Sequence, residues 1–446
     1  MIATVSPGTF SGKLPAIPSK SHLHRLLICA ALADKDTVLL LGSVATENLS
    51  KSVSDSDHRI AHPPLANDIK ATISCLSALG AHIEHIPGGL AVRPLRLDKL
   101  PETCILPCMD SGSTFRFMLP LVCALGVSGE FHLAGRLPER PLAPLDTELT
   151  RHGIELWRPA PDILCCRGKL HSAHYTLPGN VSSQYISGLL MALPLLDGDS
   201  VLHIEGDVES EGYIDMTLKV NATFAQHPKL DGSDYIICGT HNGNPFVSPG
   251  RINAEGDWSN GAFWLCAGAM PGGNVELCGL NLDSTQGDRA VYEILTQMGA
   301  RISAEDNSIT VSSHKHNAVE IDARAIPDLI PVLSAVAAVG EGITIVRNAQ
   351  RLRLKESDRL MTTAQILNTL GAKVTEIGDE LHIEGVPRLV GGTVDAHGDH
   401  RIAMTAAIAS AVCDSPVIIT GAEAVNKSYP QFWEKLSVLG KNVEVE

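Results

Sequence analysis

The apolar positions of this chain fall into one arrangement that returns along its length. Apolar residues at helical spacing lead to Leu-Gly or a near equivalent, and a short β-rich segment follows. In 360–374, Leu360, Ala364, Leu367 and Leu370 mark one helical face, Gly371 closes it, and Val374 lies in the segment beyond. The same succession occurs at 73–83 around Leu79-Gly80-Ala81 and at 142–156 around Gly153. It occurs again at 291–302 around Met298-Gly299-Ala300, and at 432–443 around Leu439-Gly440. Glycine at such a place suits a left-handed turn after a helix. The glycines are 73, 146, 72 and 69 residues apart, and 146 is twice 73. A sixth unit is therefore expected near residue 226. There 214–224 reads as a helix and 234–238 as a strand, but the glycine is missing. A period near 72 is far longer than that of solenoids. It predicts six α/β units, three per domain.

Two Pro-containing stretches interrupt the pattern, Leu14–Pro18 and Val247-Ser248-Pro249-Gly250. Read as the two crossings of a hinge, they divide the chain into a discontinuous first domain, 1–18 with 250–446, and a second domain, 19–249. Segment 47–64, rich in Ser, Asp and His, reads as an exposed loop.

Composition narrows the partner. The 446 residues are 44% hydrophobic and 19% charged, a globular mixture too long for a single core. A net charge of −15 argues against nucleic acid and anionic membranes. Of the 35 Lys and Arg, however, eleven (Lys20, Arg25, Arg116, Arg136, Arg140, Arg351, Arg353, Lys355, Arg359, Arg401, Lys427) fall in a few short motifs. An acidic chain that concentrates its cations in this way is expected to bind a small anion there. No basic segment followed by an apolar stretch opens the sequence, and no apolar run is long enough to cross a bilayer. The 11 cysteines, including Cys104, Cys108 and the pair Cys165-Cys166, lack zinc-site spacing. A cytoplasmic protein with reduced thiols, no metal and no cofactor is expected.

The basic motifs precede apolar helical stretches. Lys355-Glu356-Ser357-Asp358-Arg359 sits at the mouth of the 360–370 helix. The unpaired N–H groups and partial positive charge of that end, beside Lys355 and Arg359, suit a phosphate or carboxylate, and Glu356 could move a proton. Lys20, Ser21 and Arg25 stand at a strand-to-helix turn before 26–32. In Asp110-Ser111-Gly112-Ser113-Thr114-Phe115-Arg116, Gly112 permits close backbone approach to a ligand. Arg140, just before Pro141, is placed to fork a carboxylate. Ser182, Ser183 and Gln184 can bind phosphate and sugar-like hydroxyls. Asp328 of Ile326-Pro327-Asp328, Arg401 of Asp399-His400-Arg401 and Lys427 of Asn426-Lys427-Ser428-Tyr429-Pro430 complete the set. Taken singly, these last three read as a turn aspartate, a capping Asp-His and a loop lysine. His397 and His400 have a spacing that fits one helical face, but no third metal ligand lies at a convincing distance in sequence. Nothing matches a nucleotide-binding glycine loop or a nucleophile elbow.

Taken together and in order, KSxxxR, SGSTxR, ERP, SSQ, IPD, KESDR, DHR and KSYP resemble the 5-enolpyruvylshikimate-3-phosphate synthase family of enolpyruvyl transferases over nearly the whole chain. The resemblance implies an α/β fold of six βαβαββ units, three per domain, with the active site in the interdomain cleft. It implies a monomer that moves the enolpyruvyl group of phosphoenolpyruvate to the 5-hydroxyl of shikimate 3-phosphate with release of phosphate. By matching position, Lys20, Gly112, Arg140, Gln184, Arg359, Arg401 and Lys427 would hold phosphoenolpyruvate. Lys20, Ser21, Arg25, Ser182, Ser183, Gln184, Ser210, Tyr213, Asp328 and Lys355 would hold shikimate 3-phosphate. Asp328 would take the hydroxyl proton, and Glu356 with Lys20 would handle protons at the methylene.

The chain departs from the family pattern twice. Asp110 stands where many members have Asn, and is expected to cap the helix or pair with Arg116. Glu211-Gly212 replaces a basic residue and proline before Tyr213, which removes a cation near the shikimate phosphate. Two other readings compete. One is enolpyruvyl transfer to UDP-N-acetylglucosamine, which usually relies on a cysteine in a glycine-rich loop; Cys108 has no such loop. The other is a ligand-binding homologue without catalysis, against which stand Lys20, Asp328 and Glu356.

Overall fold

A computed structural model of the chain describes residues 1–42, 64–240, 244–305 and 307–446. All of the expected 47–64 loop except Pro64 lies outside the described residues. The chain forms two compact units: Met1–Ile17, Pro64–Ala66 and Glu255–Glu446 in the first, Pro18–Pro63 and Asn67–Ala254 in the second.

Among the described residues, each unit contains three four-stranded sheets of one design. In the second unit, β6 (Thr103–Met109) runs parallel to β7 (Ser128–Leu133), and the hairpin β8 (Glu155–Ala160) and β9 (Ile163–Arg167) adds antiparallel, giving the order β6-β7-β9-β8. Helices α3 (Gly112–Leu125) and α4 (Leu145–Arg151) alternate with these strands, which makes one βαβαββ repeat. The repeat of β10 (His174–Pro178), α5 (Ser183–Ala192), β11 (Ser200–Glu205), α6 (Glu211–Thr223), β12 (Lys229–Asp231) and β13 (Asp234–Ile237) copies it. The remaining repeat of this unit takes its first strand from far along the chain. Strand β14 (Arg251–Ala254) lies parallel to β3 (Thr37–Leu41), beside β4 (His82–Ile86) and β5 (Gly89–Arg93), with α1 (Lys20–Ala31) and α2 (Asn67–Ala78).

The first unit shows the reciprocal arrangement. Strand β2 (Ser11–Pro15) lies parallel to β15 (Asn274–Cys278), beside β16 (Arg301–Glu305) and β17 (Ser308–Ser312), with α7 (Trp258–Ala269) and α8 (Val291–Met298). The next repeat is β18 (Glu320–Asp322), α9 (Ile330–Ala337), β19 (Ile343–Arg347), α10 (Arg359–Thr369), β20 (Lys373–Ile377) and β21 (Glu380–Glu384). The last is β22 (Gly392–Asp395), α11 (His400–Ala409), β23 (Val417–Thr420), α12 (Phe432–Val438) and β24 (Val443–Val445), completed by β1 (Ile2–Val5).

The second helix of every repeat ends in the same way. Gly80, Gly153, Gly299, Gly371 and Gly440 all have left-handed φ, between 88° and 108°. The N–H of each following residue reaches back five positions, as in Ala81 to Leu76, Ile154 to Leu149, Ala300 to Leu295, Ala372 to Leu367 and Lys441 to Leu436. This is a Schellman cap, which satisfies orphan carbonyls of the last turn. The sixth unit is present and keeps the cap without the glycine. Ala225 adopts φ 63°, and Gln226 N–H donates to the Asn221 carbonyl at 2.8 Å. Two boundaries differ from the sequence reading. Helix α6 begins at Glu211, and the strand after it is Lys229–Asp231, with Asp234–Ile237 its hairpin partner.

First and second helices of a repeat differ in burial. Every residue of α9 and α11 is buried, as is all of α7 except Ser259, whereas α8 and α12 bury three residues each. In the second unit α3 and α5 are similarly enclosed. Gly188 explains how closely they pack. A Cβ there would lie 2.6 Å from the Arg116 carbonyl and 2.9 Å from the ring of Pro120. The basic motifs open helices of both kinds: Lys20, Arg116 and Arg401 belong to the first helices α1, α3 and α11, whereas Arg140, Lys355, Arg359 and Lys427 precede or open the second helices α4, α10 and α12. Among the described residues no helix is long and apolar enough to cross a membrane.

Candidate active site

In the first unit Lys355, Arg359 and Arg401 converge on Asp328, in the turn before α9. Arg359 Nη1 donates to Asp328 Oδ1 at 2.6 Å, and Lys355 Nζ lies 3.4 Å from the same oxygen. Arg401 Nη2 reaches Oδ2 at 3.4 Å, while its Nη1 donates to the Asp328 carbonyl at 3.1 Å and the Ser259 carbonyl at 3.3 Å. Arg359 is the hub. Its Nη2 donates to Glu356 Oε2 at 2.8 Å and its Nε to Asp399 Oδ2 at 2.7 Å, and its side chain is 1% exposed. Two helix caps fix these positions. Asp358 caps α10 by accepting from Met361 N–H, and Asp399 caps α11 by accepting from Arg401 N–H.

Electrostatics follow from this packing. Burial works against ionising Asp328, but Arg401, then Lys355 and Arg359, outweigh it and hold the carboxyl well below the usual range. Burial brings the Lys355 ammonium down to about 8, with Asp328 opposing. Asp399 is likewise kept ionised: Arg359 overcomes its burial. Asp288, buried and accepting from the Ser259 hydroxyl, is pushed up to about 6, first by burial and then by Asp328. Lys427, read as a loop lysine, is instead buried at the end of a short 3-10 helix, Ala422–Lys427. The next residue, Ser428, donates to Asn260 at 3.2 Å.

The second unit gathers a different set. Ser19 caps α1, and Lys20 in its first turn pairs with buried Asp68 at 2.7 Å. Arg25 does not stand at the turn: it lies a turn further on, 2% exposed inside the helix bundle. Its partners are neutral oxygens, namely Thr217 Oγ1 at 2.7 Å, the Ser21 carbonyl at 2.7 Å, Ser187 Oγ at 3.2 Å and the Tyr213 carbonyl at 3.0 Å. Burial lowers the guanidinium to about 10. Ser182 caps α5, and Ser183 opens it. Gln184 Nε2 donates to Ser113 Oγ at 2.9 Å, and its Oε1 accepts from Arg116 Nη1 at 3.3 Å.

Gly112 makes room for cations. A Cβ at this position would lie 2.6 Å from Arg116 Nη1 and 3.1 Å from Arg140 Nη1, so two guanidinium groups flank the N-terminus of α3. Ser111, not Asp110, caps that helix. Ser210 precedes α6 in left-handed conformation, φ 57°, with Glu211 and Gly212 in the first helical turn. Thus Lys355, Glu356, Arg359, Arg401 and Asp328 form one cluster, and Gly112, Arg140 and Gln184 are brought together through Arg116. His397 and His400 do not share a helical face, because His397 lies in a left-handed turn before α11 begins.

Chains of similar sequence point to the same chemistry. A family model for EPSP synthase (3-phosphoshikimate 1-carboxyvinyltransferase) matches residues 47–436. The chain belongs to the EPSP synthase family. A 3-phosphoshikimate 1-carboxyvinyltransferase of Clostridium acetobutylicum is 40% identical over 445 residues, covering 98% of this chain and 97% of that one. Another, of Clostridium kluyveri, is 39% identical, covering 99% and 98%. In fold, the chain matches an EPSP synthase from Acinetobacter baumannii with a TM-score of 0.79 at 24% identity, over 100% and 99% of the two chains. An enolpyruvyl transferase from Streptomyces tendae gives 0.75 at 18% identity, over 99% and 98%.

Several residues of these two clusters carry no clear signal in the sequence. Asp399 was visible only as a cap, yet it holds Arg359. Arg116 was counted among the cations without a role. Asp68 and Asp288 carried no motif signal, since their partners lie far away in sequence. Conversely, Arg353 is spent on structure: it pairs with Glu376, Asp379 and Asp358.

Proposed function

We propose that this chain transfers the enolpyruvyl group of phosphoenolpyruvate to the 5-hydroxyl of shikimate 3-phosphate, as a monomer, with the residue roles that follow. Asp328 accepts the proton of the 5-hydroxyl as its oxygen bonds to C2 of phosphoenolpyruvate. A proton delivered by Glu356, with Lys20, converts the methylene carbon to a methyl group. In the second half of the reaction a proton leaves that methyl group, the C2–O bond to phosphate breaks, and phosphate departs. Arg359, Arg401 and Lys427, with Lys20, Gly112, Arg140 and Gln184, hold phosphoenolpyruvate. Lys355, with Lys20, Ser21, Arg25, Ser182, Ser183, Gln184, Ser210 and Tyr213, holds shikimate 3-phosphate.

One observation carries these roles: Asp328 lies within 3.4 Å of Lys355, Arg359 and Arg401, with Glu356 on the same guanidinium. Three cations keep Asp328 ionised, the state a base needs, and they supply charge for phosphate and carboxylate groups. Cys108 also disfavours transfer to UDP-N-acetylglucosamine. It is fully buried on β6, 3.8 Å from Cys75 Sγ, and burial raises its thiol far above the range of a reactive cysteine. The test is phosphate release from phosphoenolpyruvate with each acceptor. Turnover with shikimate 3-phosphate alone is expected; turnover with the sugar nucleotide alone would overturn the assignment.

A further inference from the structure

A chain of buried hydroxyl groups joins the N-terminal halves of α1, α2 and α3. Thr114 Oγ1 lies 2.8 Å from Ser111 Oγ, 2.7 Å from Thr72 Oγ1 and 3.2 Å from the Asp68 carbonyl. Thr72 Oγ1 lies in turn 2.7 Å from His24 Nδ1. All four side chains are buried, with His24, Thr72, Ser111 and Thr114 each 0% exposed.

The proton positions can be worked out. A backbone carbonyl only accepts, so Thr114 donates to Asp68. Its two lone pairs then accept from Thr72 and Ser111. Thr72, having given its proton to Thr114, must accept from His24, which therefore carries a proton on Nδ1. Ser111 Oγ meanwhile accepts from Thr114 N–H at 3.3 Å, closing the cap of α3. The whole network ends on Asp68, whose carboxylate holds Lys20 at 2.7 Å.

We propose that Thr114 is a positioning residue for phosphoenolpyruvate: its hydroxyl fixes Asp68, and through Asp68 the ammonium of Lys20. The proposal rests on the assignment of Lys20 to phosphoenolpyruvate above. Valine at 114 keeps the shape but strips Thr72 and Ser111 of their acceptor and takes the side-chain donor from the Asp68 carbonyl, and unmet buried polar groups are costly. The test is a double-mutant cycle on kcat/KM for phosphoenolpyruvate. Thr114→Val is expected to lower it about 10-fold in the otherwise native chain, and less than about twofold beside Asp68→Asn. Thr114→Ser, which keeps the hydroxyl, should stay near the native value. An equal loss in both backgrounds, or equal losses for Val and Ser, would overturn the proposal. If the Val variant fails to fold, Thr114→Ala enters the same cycle with the same expectation.

A second readout needs no turnover. With 15N-labelled histidine, and His24→Gln to assign the signal, the His24 ring should show a protonated Nδ1. A proton on Nε2 alone would break the deduced order of the chain. A native chain that binds neither substrate, with the ring as expected, would instead count against the functional assignment beneath.

Discussion

The Lys20–Asp68 pair apart, the two charged clusters satisfy their buried cations in opposite ways. In the first unit, cations face carboxylates: Arg359 alone contacts Asp328, Glu356 and Asp399. In the second, Arg25 is held by hydroxyl and carbonyl oxygens, and Gln184, an amide, bridges Arg116 and Ser113. A cation satisfied by neutral oxygens keeps its net charge for a ligand. A cation matched to carboxylates leaves less net charge for a ligand, but it also sets how readily those carboxylates take and release protons. On the roles proposed above, the second unit contributes mainly groups that hold anions, and the first combines such groups with the two carboxylates that move protons. Both clusters gather around helix starts, those of the first helices α1, α3 and α11 and that of the second helix α10.

The largest effect that would break this contrast is expected at Asp328. Asp328→Asn removes the base while retaining the shape, and should lower kcat about 1,000-fold in the phosphate-release assay. A loss under tenfold would move the base elsewhere. A smaller effect is expected from pH. Lys355 is charged below about 8 and loses its charge as pH rises through that value. Binding of an anionic substrate therefore weakens on the alkaline side, and kcat/KM for shikimate 3-phosphate should fall above about pH 8. Lys355→Arg should flatten that limb, since a guanidinium stays charged there; an unchanged limb would assign it to another group. The smallest effect concerns the scaffold shared by both units. Ala225 is exposed and left-handed where the other five repeats have glycine. Ala225→Gly should stabilise the chain by about 1 kcal/mol, read as a higher midpoint of chemical denaturation with unchanged kcat. A lower midpoint would mean that residue 225 gains more from its methyl group than it loses to its backbone.

That position also shows what the sequence could and could not tell. The repeat was legible because a Schellman cap demands a special backbone and glycine supplies it cheaply, so five caps announced themselves. At the sixth, the cap survives on hydrogen bonds alone, and no residue type marks it. The cap of α11 was equally legible, since Asp399 precedes an apolar helical run. What stayed hidden were contacts between distant segments. Lys20 meets Asp68 across 48 positions, and Thr72 meets Thr114 across 42. Nothing in Asn67-Asp68 distinguishes a buried ion-pair partner from an ordinary helix start. Arg25 was placed at the turn because its motif begins there, but in a helix five residues carry it past the first turn and into the bundle.

The proton-moving role proposed for the first unit is tested most directly by pairing two numbers for Glu356→Gln: the single-turnover rate of product formation and the Kd for shikimate 3-phosphate. The amide keeps the shape of the carboxylate and its contact with Arg359 while removing its proton chemistry. The account predicts a rate at least about 100-fold lower, with Kd changed by less than about threefold. A rate near that of the native chain, or rate and affinity falling together, would contradict it.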